Sequence, residues 1–235
     1  MLVTPGLHLV DGVARGAVNA YVWERADGGL TLIDTGMPGD AQHILDFVAA
    51  LGKPLDRIII THGDIDHIGA LPAIQAATGA RVICHAVEKD VIEGRRPRLL
   101  GYSPLAQAAS RLFARLGALV FNFHPSARVH DLVLDKQMLL EGFQVIHTPG
   151  HTGGQIALFQ PQRGLLITGD TLTHSRGLGK FGMPMPLATP SKAAARQSIA
   201  RLAELKGIEV ICFGHGAPLT DRPAERLQAY AASLT

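Results

Sequence analysis

One stretch of this 235-residue chain concentrates groups that can do chemistry. Thr61-His62-Gly63-Asp64-Ile65-Asp66-His67-Ile68-Gly69 places four potential metal ligands, His62, Asp64, Asp66 and His67, within six residues. Neutral imidazoles and carboxylates bind zinc and harder divalent ions, so this density of donors predicts a metal site. Three later turns carry the same residue types: Pro149-Gly150-His151-Thr152, Gly169-Asp170-Thr171 and Gly214-His215-Gly216. An earlier turn, Asp34-Thr35-Gly36, adds a carboxylate.

Elements that can position these turns surround them. Residues 57–60, Arg-Ile-Ile-Ile, read as a strand buried on both faces, which puts the first ligand turn at a strand's carboxyl end. Ile68, Leu71 and Ile74 then recur at helical intervals, so the turn opens a helix. Upstream, 7–13, 18–24 and 30–34 read as strands, the last two joined by the hairpin sequence Asp27-Gly28-Gly29, and 39–51 reads as a helix. After a strand at 81–86 and a short helix at 87–93 the alternation breaks. The stretch 94–130 holds Arg95, Arg96, Arg98, Arg111, Arg115 and Arg128 without one Asp or Glu, and Leu105, Leu112, Leu116 and Leu119 fall on one helical stripe. It is expected to be an inserted helical element that caps the pocket or mediates a homodimer contact. Strand patterns return at 129–134, 138–140, 143–148, 155–160, 164–168 and 209–213, with helices at 191–205 and 222–233 and Ser191 as N-cap of the first. Residues 175–190, rich in Gly, Pro and Met, read as a loop beside the pocket, where Arg176 and Lys180 offer charge to a substrate carboxylate or phosphate.

Composition narrows the classes. An apolar fraction of 47 % fits a globular α/β chain, and a formal charge of +2 is too small for a general nucleic-acid binder. The N-terminus has no basic segment followed by an apolar run, and no stretch is long enough for a membrane span, so a cytoplasmic location is expected. The two cysteines, Cys84 and Cys212, sit in separate apolar segments and read as core residues.

The four ligand turns in this order resemble the metallo-β-lactamase superfamily, whose signature runs His-x-His-x-Asp-His, then a His after Pro-Gly, an Asp in a Gly-Asp turn and a late Gly-His. The matching positions here are His62, Asp64, Asp66, His67, His151, Asp170 and His215, and Asp34-Thr35-Gly36 matches the family's early Asp-x-Gly turn. The resemblance implies a single α/β domain with a four-layer αββα sandwich and two divalent metal ions, zinc first, with manganese or iron as alternatives. It further implies that His62, Asp64 and His151 hold one ion, Asp66, His67 and His215 the other, and that Asp170 bridges them, with Asp34 bracing the ligand turns from behind.

A water bridging two such ions loses a proton far more readily than bulk water, giving a hydroxide nucleophile near neutral pH. Asp66 is expected to orient it or to pass a proton to the leaving group. The chain departs from the family at Asp64, where His is usual. Three carboxylates against two ions leave about +1 instead of about +2, which favours harder metals. The function these features predict is a metal-dependent hydrolase of a small, optionally anionic ester, lactone or thioester. Phosphodiester cleavage by a nuclease-like member and a mono-iron sulfur dioxygenase using His62, His151 and Asp170 are the alternatives. His85, His147 and His174 lie at strand ends or just past a ligand turn and read as hydrogen-bonded histidines, while His8, His43, His124 and His130 carry no pattern.

Overall fold

The computed structural model describes residues 1–98, 126–175 and 179–234, and the chain divides into two compact units, Met1–Pro97 with Gly117–Val133 and Arg98–Leu116 with Leu134–Thr235. In the first unit, β1 (Leu2–Thr4), β2 (Leu7–Leu9), β3 (Tyr21–Glu24), β4 (Leu30–Ile33), β5 (Leu55–Ile59), β6 (Arg81–His85) and β7 (Val129–Val133) form one sheet in sequence order. The strands from β1 to β4 pair antiparallel, and those from β4 to β7 pair parallel. The connections explain the change. Asp27-Gly28-Gly29, with Gly28 at φ +89°, closes a hairpin. Parallel neighbours need a longer crossover. α1 (Ala41–Ala50) supplies it between β4 and β5, α2 (Ile65–Ile68) and α3 (Leu71–Thr78) between β5 and β6, and α4 (Lys89–Ile92) lies on the path to β7.

Ile58, Ile59 and Ile60 are fully buried, as a central strand requires. Ile58 and Ile60 join Val22, Leu32, Ile44, Leu71 and Val82 in the unit's main core. That core anchors the strand whose end carries the first ligand turn.

In the second unit, β8 (Gln144–His147), β9 (Ile156–Gln160), β10 (Leu165–Ile167), β11 (Thr173–His174), β12 (Phe181–Gly182) and β13 (Val210–Cys212) form two sheets. The larger has the order β13-β10-β9-β8, with β10 and β13 parallel and the other pairs antiparallel, and β11 pairs with β12 as a separate ribbon. α5 (Lys192–Ala203) starts as its sequence predicts: Ser191 Oγ accepts the Ala194 N–H at 3.2 Å. Its Ile199 and Leu202 pack with Phe159, Leu166, Ile211, Phe213 and Leu227 of α6 (Pro223–Ala232).

Some predicted elements differ. The strand expected over 7–13 stops at Leu9, because Gly12 takes φ +87° and the chain enters a 3-10 turn at Val13–Gly16. Residues 138–140 are not a strand. Met138 makes one isolated bridge to Gln144, Leu139 N–H donates to the Phe143 carbonyl and Gly142 N–H returns to the Leu139 carbonyl, so the apolar alternation belongs to a tight turn. The stretch 175–190 is not all loop, since it holds β12 and a 3-10 turn at Pro186–Ala188. Of the expected helical element over 94–130, residues 99–125 lie outside the described residues. Its ends are a turn at Gly94 and the start of β7. Among the described residues no helix is long and apolar enough to cross a membrane.

Two predictions test the packing. Ile58→Ala is expected to cost about 2–5 kcal/mol, read as a lower urea midpoint; a loss below about 1 kcal/mol would contradict the central position given to β5. Cys84 and Cys212 are fully buried thiols outside any disulfide, and burial pushes Cys84 up to about 12, with Glu88 adding to the rise. Iodoacetamide at mildly alkaline pH should leave both unlabelled until the protein is unfolded; rapid labelling of the folded chain would refute this.

Candidate metal centre

In the first unit the candidate ligands and their brace follow two adjacent strand ends. β4 runs into Asp34, which sits at φ +59°, and β5 runs through Ile60 into Thr61 and His62. Asp34 is 3 % exposed, and each of its oxygens is committed. Oδ1 accepts the Thr61 N–H at 2.8 Å, and Oδ2 accepts the Thr61 hydroxyl at 2.8 Å and the His67 Nδ1–H at 2.9 Å.

These bonds fix the protons. Thr61 has one hydroxyl hydrogen and gives it to Asp34, so in its 3.0 Å contact with His62 Nδ1 the ring must donate. His67 likewise spends its Nδ1–H on a carboxylate. In the neutral ring that leaves Nε2 as the lone-pair atom of both, the form in which histidine binds metal. Their centroids are 4.1 Å apart.

Two carboxylates stand beside those nitrogens. Asp64 Oδ2 lies 3.9 Å from His62 Nε2, and Asp66 Oδ2 lies 3.8 Å from His67 Nε2. Asp64 occupies the N-cap of α2, yet its side chain makes no cap hydrogen bond. The early Asp-x-Gly turn also grips α2: Thr35 donates its N–H and its hydroxyl to the His67 carbonyl, both at 2.8 Å, and Gly69 N–H donates to the Gly36 carbonyl at 2.9 Å. On the other side of the turn, buried Glu88 accepts the Gly63 N–H at 2.9 Å.

The second unit holds the remaining three. His151 Nε2 lies 3.7 Å and His215 Nε2 3.1 Å from Asp170 Oδ2. A threonine again fixes the ring proton. Thr189 donates its hydroxyl hydrogen to the Met185 carbonyl at 2.9 Å, so in the 3.4 Å contact with His151 Nδ1 the ring donates, which in the neutral ring again leaves the lone pair on Nε2. The ligand turns are locked to each other's strands: Thr168 N–H donates to the Cys212 carbonyl at 2.8 Å, Gly214 N–H to Gly169 at 2.9 Å and His174 N–H to His215 at 3.1 Å. Gly216 takes φ +100°, and a Cβ there would meet the His174 carbonyl oxygen at 1.5 Å, so only glycine fits after His215. Behind these turns, Gln155 donates to Thr171, and Thr171 to Thr148, at 2.6 and 2.8 Å.

The spacing of these pairs can be tested against a metal. Two ligand atoms about 2.0–2.2 Å from one tetrahedral ion sit about 3.3–3.6 Å apart, within a few tenths of an ångström of the 3.8 and 3.9 Å found in the first unit and the 3.1 and 3.7 Å in the second. Lone-pair nitrogens interleaved with carboxylates at that distance are a fitting donor set for a divalent cation.

The other histidines are held elsewhere, as expected. His147 Nε2 contacts the Gly153 carbonyl at 2.9 Å, His174 Nδ1 the Ala217 carbonyl at 2.8 Å, and His85 Nδ1 accepts the Val87 N–H at 3.4 Å. His124 and Arg176 lie outside the described residues. Sequence reasoning missed Thr61, Glu88 and Thr189. Thr61 directly precedes His62, but Glu88 lies 25 residues from Gly63 and Thr189 38 residues from His151, and nothing local marks them.

A family model of the metallo-beta-lactamase superfamily matches residues 13–215, and the chain belongs to that superfamily. It is 33 % identical over 208 residues to the probable metallo-hydrolase YflN of Bacillus subtilis, covering 81 % of this chain and 76 % of that one. It is 32 % identical over 206 residues to a hydroxyacylglutathione hydrolase of Albidiferax ferrireducens, covering 86 % of this chain and 64 % of that one, so it spans less than two thirds of the longer enzyme. Among solved structures, the metallo-beta-lactamase family protein TTHA1429 of Thermus thermophilus superposes with TM-score 0.71 at 27 % identity, over 99 % of this chain and 80 % of that one. TTHA1623 in a di-iron-bound form gives TM-score 0.64 at 26 % identity, over 86 % and 89 %. The fold is thus the mixed α/β fold of metallo-β-lactamases. Membership implies divalent metal binding, and the relatives support a hydrolase.

Asp34→Ala removes the acceptor of three donors and should cost about 1–3 kcal/mol in urea unfolding. A cost below about 0.5 kcal/mol would show that the brace contributes little.

Proposed function

We propose that this chain is a hydrolase that uses two divalent ions, zinc first among them, to cleave a small ester, lactone or thioester. The observation that carries this reading is the common tautomer of His62, His67 and His151, each held through Nδ1 and each offering Nε2 beside a carboxylate. In this reading the superfamily's pattern assigns His62 and His151 to one ion and Asp66, His67 and His215 to the other. Asp64, beside His62, completes the first, and Asp170 serves both. The family match extends over all seven positions, and the likeness to hydroxyacylglutathione hydrolases supports the thioester arm.

Bound ions would supply Lewis-acid polarisation of the scissile carbonyl and a water acidified to near neutrality. The chain's own groups do the rest. Asp34, Thr61 and Thr189 hold the three imidazoles through Nδ1 and orient them. Asp66, whose side chain is 28 % exposed against 14 % for Asp64, is the more solvent-facing carboxylate of the first turn and is assigned the proton transfer to the leaving group.

Purified, metal-loaded protein should hydrolyse members of an ester, lactone and thioester panel. Asp66→Asn should lower turnover about tenfold or more with the fold retained. Absence of hydrolysis across the panel would refute the reaction class, and unchanged turnover in the variant would refute the role of Asp66.

A further inference from the structure

The segment from Met183 to Ser191 is fastened to the turn that carries His151 at several points. Thr189, fully buried, contacts His151 Nδ1 through its hydroxyl and donates that hydroxyl to the Met185 carbonyl, so a single oxygen separates the ligand ring from the Met185 backbone. Arg98 Nη2 donates to the carbonyls of both His151 and Ala188, each at 2.7 Å. Ser191 N–H donates to the Gly150 carbonyl at 3.2 Å, and a Cβ on Gly150 would meet Ala195 N at 2.4 Å, so the turn lies hard against the start of α5.

The segment is also stiff in itself. Pro184, Pro186 and Pro190 restrict it, and the 3-10 turn Pro186–Ala188 closes with Ala188 N–H donating to Met185 at 3.0 Å and Thr189 N–H to Pro186 at 3.1 Å. A stiff turn bolted to a metal-ligand turn would be expected to show polar side chains to water. Instead Met185 is 66 % and Leu187 65 % exposed. Two large apolar side chains held in water at fixed positions cost free energy that burial against a ligand would recover. Methionine adds an adaptable contact surface for chains of differing shape.

We propose that Met185 and Leu187 form an apolar lip that receives the acyl chain of the substrate, so that the enzyme selects esters or thioesters of aliphatic acids over those of acetate. This rests on the hydrolase reading and deepens it by naming the substrate class. The two residues determine specificity. They take no part in bond making, and no proton or electron moves at the lip.

The test separates the lip from the chemistry by using binding. Straight-chain carboxylates from acetate to octanoate, product analogues of the series, are titrated calorimetrically into the metal-loaded protein and into Met185→Ser/Leu187→Ser. Each added methylene should tighten binding to the wild type about two- to fourfold, while in the double variant the series flattens with acetate affinity and metal content unchanged. A flat wild-type series, undetectable octanoate binding, or an equal slope in the variant would overturn the proposal. The ester and thioester panel is run on the same preparations. Loss of hydrolysis with the binding slope intact would sink the hydrolase reading and leave the lip standing, whereas hydrolysis without chain-length dependence would do the reverse.

Discussion

A histidine binds a metal through a nitrogen lone pair, and in this protein the lone pair is fixed by what the other ring nitrogen does. Asp34 takes the His67 proton directly, and it takes the Thr61 hydroxyl proton, which forces Thr61 to accept from His62. Thr189, its own proton given to the Met185 carbonyl, does for His151 what Thr61 does for His62. One buried carboxylate and two hydroxyls with committed protons thus set the chemistry of three imidazoles. Removing an acceptor frees a ring to change tautomer as well as position, which is why the groups behind metal ligands matter nearly as much as the ligands.

The backbone prepares both halves of this arrangement in the same way. In each unit a parallel strand pair ends in two ligand-bearing or bracing turns: β4 and β5 run into Asp34 and His62, and β10 and β13 run into Asp170 and His215. Parallel neighbours deliver their carboxyl ends to one edge, the place where open α/β sheets gather ligand groups. Backbone bonds then fasten the turns, Asp34 N–H to the Ile59 carbonyl at the end of β5 in one unit and Gly214 N–H to the Gly169 carbonyl in the other. Glycine is demanded where this crowding is greatest, at Gly150 and Gly216. The proposed metal-dependent hydrolysis depends on this, because within each unit polar side chains can be gathered away from water only if each is oriented before an ion arrives.

Much of this was legible in the sequence because it is local. The isoleucines of β5, the hairpin at Asp27-Gly28-Gly29, the cap at Ser191 and the seven ligand candidates announce themselves within a few residues, and the structure gathers His62, Asp64, Asp66 and His67 in one unit and His151, Asp170 and His215 in the other. The bracing role read for Asp34 is present in its hydrogen bonds. What escaped was non-local or ambiguous in period. Glu88 reaches Gly63 across 25 residues, and Arg98 reaches Ala188 across 90. The alternation at 138–140 fits a tight turn as well as a strand, and β11 and β12 are two residues each, too short for any periodicity to show.

The central claim is that these donors hold divalent metal ions, and elemental analysis of protein purified without added metal or chelator tests it most directly. The account predicts about two divalent ions per folded chain, with zinc, manganese or iron as the element found. No bound metal, or about one iron per chain, would contradict it, the latter pointing to a mononuclear site in which half of these ligands have no ion to hold.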